Sequence, residues 1–157
     1  MEYFTREWAL GELSDEEYET VLRTYQASID AFDHSSTVWR FATTVGLNDA
    51  WVDRVEAETG DVRLRLLTGD LQRGYRHTEL MYRNARVVYG RDALIQAVNN
   101  RPTEIWCDEF SGTMPNMVHR FILVEANGVA DRGEVHIEFS DFDFSEAPAM
   151  SRELPPP

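Results

Sequence analysis

The chain has 157 residues and a formal net charge of −13, from 28 acidic and 15 basic side chains. Every basic residue is arginine, which excludes Schiff-base, phosphate-loop and kinase-type lysine chemistry. The acidic excess argues against a general nucleic-acid binder, which needs a basic surface to displace counterions.

The length and an apolar content of 43% suit a single globular domain. The opening residues Met1 to Trp8 lack the basic start and apolar run of a signal peptide. No apolar stretch approaches the roughly 20 residues that span a bilayer. Cys107 is the only cysteine, so an internal disulfide is excluded and a reducing cytoplasm is the expected location.

Ser14-Asp15-Glu16-Glu17 reads as a capping box, with Leu13 and Tyr18 placed to staple it. Tyr18, Val21, Leu22, Tyr25, Ile29 and Phe32 then recur at three- and four-residue steps, the signature of an amphipathic helix. Residues 36–45 read as a second, shorter helix, although their β-branched content also fits a strand. Gly46 and Asn48-Asp49 punctuate the chain.

Strands follow. Residues 51–58 and 62–67 flank a turn at Thr59-Gly60, in a register that sets Val55 opposite Leu64, Glu56 opposite Arg63 and Ala57 opposite Val62. That register also opposes Arg54 and Arg65, a cost that a nearby acid would relieve. Residues 75–89 alternate on even positions and then on odd ones, which predicts a bulge near Arg83-Asn84. Asp92 is expected to cap a short helix that ends before Pro102. Strands at about 104–110, 118–125 and 134–142 complete the set, the last two joined by a long loop around Asn127-Gly128. Pairing Phe121 with Ile137 and Arg120 with Glu138 keeps one face of that hairpin apolar. The fold expected is α+β: N-terminal helices packed on a mainly antiparallel sheet of five or six strands. It forms one domain over residues 1–146, followed by an extended or disordered tail over 147–157.

Tyr3-Phe4-Thr5-x-Glu7-Trp8, Leu47-Asn48-Asp49-Ala50, Gly60-Asp61 and the closing run from Gly133 to Phe142 resemble an uncharacterised bacterial family, a domain of unknown function. Its members are small cytoplasmic proteins that open in tyrosine-phenylalanine-threonine. Where such sequences usually carry His-Asp after the helices, this chain has Asn48-Asp49. The resemblance implies this fold and no particular activity.

The chemistry-bearing candidates are few. Cys107 and His119 are the one thiol–imidazole combination, but Cys107 lies between Trp106 and Asp108 and the neighbouring acid favours its protonated form, so it reads as a structural core cysteine. His119 reads as a core histidine bonded to backbone. His77, Cys107, His119 and Asp49 are the residues to look for in a pocket. His136 and Glu138 share a strand face, as do Asp141 and Asp143, yet no metal-ligand spacing is present and no metal or cofactor is expected. Asp108 and Glu109 point to opposite faces of a strand.

Residues 1–50 and 101–157 each carry −7, while residues 51–100 carry +1. This pattern favours a non-enzymatic, acidic protein-binding domain, an immunity- or antitoxin-like inhibitor of a basic protein partner. No nucleic-acid or membrane partner is expected. A small-molecule-binding domain or hydrolase with a helix–sheet cleft, using His77 or His119 as base, is the alternative. A homo-oligomer that pairs through exposed edge strands is the third reading.

Overall fold

A computed structural model describes residues 1–99, 102–126 and 131–154. In chain order its elements are α1 (Arg6–Ala9), α2 (Asp15–Asp30), α3 (Thr37–Thr44), β1 (Ala50–Glu58), β2 (Gly60–Asp70), β3 (Gly74–Tyr89), α4 (Arg91–Asn99), β4 (Thr103–Thr113), β5 (Asn116–Glu125), β6 (Asp131–Phe139) and β7 (Asp141–Ala149). The class is α+β as expected, with seven strands rather than five or six. Among the described residues no helix is long and apolar enough to cross a membrane.

Side chains cap the three N-terminal helices. Thr5 accepts from the Trp8 amide, Ser36 accepts from the Trp39 amide, and the Ser14–Glu17 box is reciprocal. Tyr18 stacks on Trp8, with ring centroids 5.0 Å apart. In α3, Val38 and Phe41 enter the core, so this apolar helical spacing outweighs the β-branched content. The fourth helix begins at Arg91, with the Leu94 amide bonded to the Gly90 carbonyl, so Asp92 lies inside its first turn rather than capping it. Gly90 has φ +72° and lies so close to Glu134 of β6 that a Cβ would come within 1.9 Å of its carbonyl oxygen. The β3–α4 corner therefore requires glycine.

All strand pairings are antiparallel, and they close on themselves. β3 pairs with β2 on one side and with β6 and β7 on the other; the ring continues β2–β1–β4–β5–β6. β6 and β7 form one line along β3, broken at Ser140: Arg86 faces Glu138 and Arg83 faces Asp141 in the same offset. The bulge expected near Arg83-Asn84 is at Asn84, whose φ is +46°. β7 continues to Ala149, three residues past the expected boundary at 146. Beyond it, Arg152 bonds Glu104 at 3.1 Å and covers the Trp51 ring. The tail's residues 155–157 and the Asn127-Gly128 loop lie outside the described residues.

The β1–β2 register is the one the sequence predicts. A bulge at Asp53 buries that carboxylate and pairs it with Arg65, which supplies the acid needed to relieve the Arg54–Arg65 opposition. The β5–β6 register differs from expectation by two residues. Phe121 faces Val135, His119 faces Ile137 and Arg120 faces His136. A two-residue slip leaves every side chain on the same face, so hydrophobic patterning cannot separate the two registers. A third strand decides it, because Glu138 pairs with Arg86 of β3 at 2.7 Å.

Two cores result. The main one fills the inside of the curved sheet with Leu64, Leu66, Leu80, Phe110, Phe121, Ile137 and Phe139, closed by Phe41 of α3 and Leu94 of α4. A smaller one lies on the outer face of β4 and β5, where Phe4, Cys107, Ile122 and Val124 pack under Trp8, Val21 and Leu22. The Tyr3-Phe4-Thr5-x-Glu7-Trp8 segment is therefore the lid of this second core.

Candidate functional site

A bulge at Trp106 sets the phase of β4. Before it Ile105 points inward; after it Cys107 and Glu109 point outward while Asp108 and Phe110 point inward. Asp108 and Glu109 thus face opposite sides, as expected. Inside, His119 of β5 is fully buried between two partners. The Tyr82 hydroxyl lies 2.7 Å from Nδ1, and Asp108 Oδ2 lies 3.0 Å from Nε2. A neutral ring satisfies both contacts if Nε2 carries the proton and donates to Asp108 while Nδ1 accepts from the Tyr82 hydroxyl. Burial, and then the charge of Asp108, push the Tyr82 phenol well above its usual range, which keeps it a donor. The Phe110 ring stacks on His119 with centroids 4.0 Å apart. His119 is a core residue as expected, but its partners are side chains rather than backbone. Tyr82 and Asp108 were missed; the available signal was two polar-tipped side chains, Tyr82 and His119, at inward positions of separate strands.

Outside, Glu109 is also fully buried. It accepts from the backbone amides of Glu2, Tyr3 and Phe4 at 2.5, 2.8 and 3.0 Å, and Arg120 Nη1 lies 3.6 Å away. This carboxylate fastens the N-terminal segment over the second core.

The four pocket candidates do not converge. Cys107 and His119 face opposite sides of the sheet, so they form no thiol–imidazole pair. Burial, followed by the charges of Asp108 and Glu109, pushes the Cys107 thiol up to about 12, and Sγ donates to the Phe4 carbonyl at 3.5 Å. His77 lies between Leu67 and Ala147 on neighbouring strands, and its Nδ1 is buried without a hydrogen-bond partner. Asp49 adopts φ +62° and lines a cleft of about 650 Å³ with Asp70, Arg73, Arg76 and Glu146; neither His77 nor His119 lines it. His136 bonds Glu134 at 2.5 Å, and Glu138 pairs with Arg86 of β3 rather than with the expected Arg120. Among the described residues no three His, Cys, Asp or Glu side chains converge on a metal position.

The remaining feature is charge. Glu7, Glu12, Asp15, Glu16, Glu19, Asp30 and Asp33 are exposed along α1, α2 and the turn after α2. Among the described residues none of the seven makes an ion pair within 4.0 Å; Arg23, the one arginine of α2, bonds Thr20 and the Glu19 carbonyl instead. Leu10 is 56% exposed, and Tyr18, stacked on the Trp8 ring, is 37% exposed. Comparison with protein-family models, curated proteins and solved structures found no match for this chain.

Proposed function

We propose that this protein is a non-catalytic binding domain that docks a basic protein partner on the α1–α2 face, in the manner of an immunity protein or antitoxin. The observation that carries this reading is the run of seven exposed acids that make no ion pair among the described residues, whereas most acids of β4 to β7 do. Such a face steers a cationic partner and leaves its charge available for new pairs. Tyr18 and Leu10 supply the apolar anchor that a tight complex places at its centre.

The basic protein to titrate is to be sought among the products of the neighbouring reading frames. Association measured by stopped flow should slow steeply with added salt, and E7Q/E16Q/E19Q/D30N should weaken it, mainly through the on-rate. An association rate that ignores both salt and these substitutions would sink the proposal.

The alternative, a small-molecule site, draws on the cleft beside Asp49, whose volume is within the range of ligand pockets. Acid–base work there would fall to Asp49, Asp70 or Glu146, not to a histidine. The acidic face is the better-supported reading.

A further inference from the structure

The sequence Asp141-Phe142-Asp143-Phe144 places two aspartates on one face of a strand, a pattern the binding function leaves unused. Both Asp-Phe steps are built alike. Phe142 and Phe144 turn inward against the Phe41 ring, at centroid distances of 5.3 and 5.0 Å. Each aspartate folds onto the following amide: Phe142 N–H donates to Asp141 Oδ1, and Phe144 N–H donates to Asp143 Oδ1, both at 2.9 Å.

These two amides have a particular place in the sheet. Among the described residues β7 pairs with β3 alone, so its other side is an open edge. N–H groups alternate between the two sides of a strand. Amides held by their own aspartates belong to the side turned away from β3, and Pro148, at the same parity, has no N–H at all. Of the successive positions 142, 144, 146 and 148, only Glu146 lacks such a device.

We infer that Asp141, Asp143 and Pro148 close the β7 edge to strand addition and so prevent the sheet from extending into a second copy of this chain. An incoming strand needs the donors that the aspartates occupy, and displacing a charge-assisted bond to form a neutral one is unfavourable. The inference concerns a different surface from the acidic helical face and does not depend on it.

Sedimentation velocity over a wide concentration range tests it with three proteins. The natural chain and D141N/D143N should sediment alike, without concentration dependence through this edge, because an asparagine Oδ1 accepts the same bond. D141A/D143A frees two donors and should strengthen self-association on the order of tenfold or more. Sedimentation of D141A/D143A like the natural chain overturns the inference. So does association of D141N/D143N to the same extent, which would assign the effect to charge repulsion alone. A readout free of mutation is the amide proton shift of Phe142 and Phe144 on acid titration. It should move as Asp141 and Asp143 protonate; amides indifferent to that titration overturn the inference even if the alanine variant fails to fold.

Discussion

Residues 1–50 and residues 101–157 carry the same net charge of −7, yet the fold treats the two segments in opposite ways. The first folds mainly into helices whose exposed acids make no ion pair within 4.0 Å among the described residues. The second folds into β4 to β7, where nearly every acid meets a cation or a hydrogen-bond donor: Glu104 with Arg152, Asp108 with His119, Glu109 with Arg120, Glu138 with Arg86, Asp141 with Arg83. Strand pairing explains much of the contrast. β3 brings Arg76, Arg83 and Arg86 from the near-neutral middle of the sequence alongside the acids of β6 and β7. An amphipathic helix with its apolar face buried has no such neighbour on its outer side. Equal net charges therefore mark a structural ledger in one segment and an available surface in the other.

Substitutions can break that contrast, and the largest effect belongs to the most buried acid. Removing Glu109 leaves three backbone amides without their acceptor and takes a buried carboxylate from beside Arg120, so E109A should lose about 3–5 kcal/mol in chemical denaturation and expose the N-terminal segment to protease. E109Q keeps one acceptor oxygen and should lose less. A loss below about 1 kcal/mol for E109A would show that this carboxylate does not hold the second core closed.

A smaller effect is expected inside the sheet. Y82F removes the hydroxyl that meets His119 Nδ1 and leaves that nitrogen buried without a partner, at a cost of about 1–3 kcal/mol. Nitrogen-15 shifts of His119 in the natural protein should report the Nε2-protonated tautomer; the opposite tautomer would reverse the donor assignment. The least change in stability is expected on the helical face, where E7Q/E16Q/E19Q/D30N should shift folding stability within about 0.5 kcal/mol per site while slowing partner association. A large stability loss there would mean that these acids are structural after all, and the contrast between the segments would collapse.

Much of the fold was legible because local patterns and tertiary packing agree. The Ser14–Glu17 box, the β1–β2 register and the bulge at Asn84 each follow from residues close in sequence. Face assignment within strands was equally legible, since it needs only the period of two. The β5–β6 register was not, because a shift of two residues preserves every face and β3 supplies the deciding contacts. The Asp108–His119–Tyr82 chain was hidden for the same reason, being assembled from three strands. The bulge at Trp106, which sends Cys107 and His119 to opposite sides, has no marker in the local sequence.

The α+β class, the Ser14–Glu17 box, the alternation of faces along uninterrupted strands and the absence of lysine chemistry follow from the sequence alone. These depend on residue type and short-range spacing, which a chain carries before it folds. The tertiary structure alone decided which acids are neutralised, which amides the edge aspartates occupy, and how four candidate pocket residues come to lie apart. Those outcomes depend on which strand becomes a neighbour of which. Ion pairing and hydrogen bonding act over a few ångströms, a range that only the closed sheet sets for residues far apart in the chain.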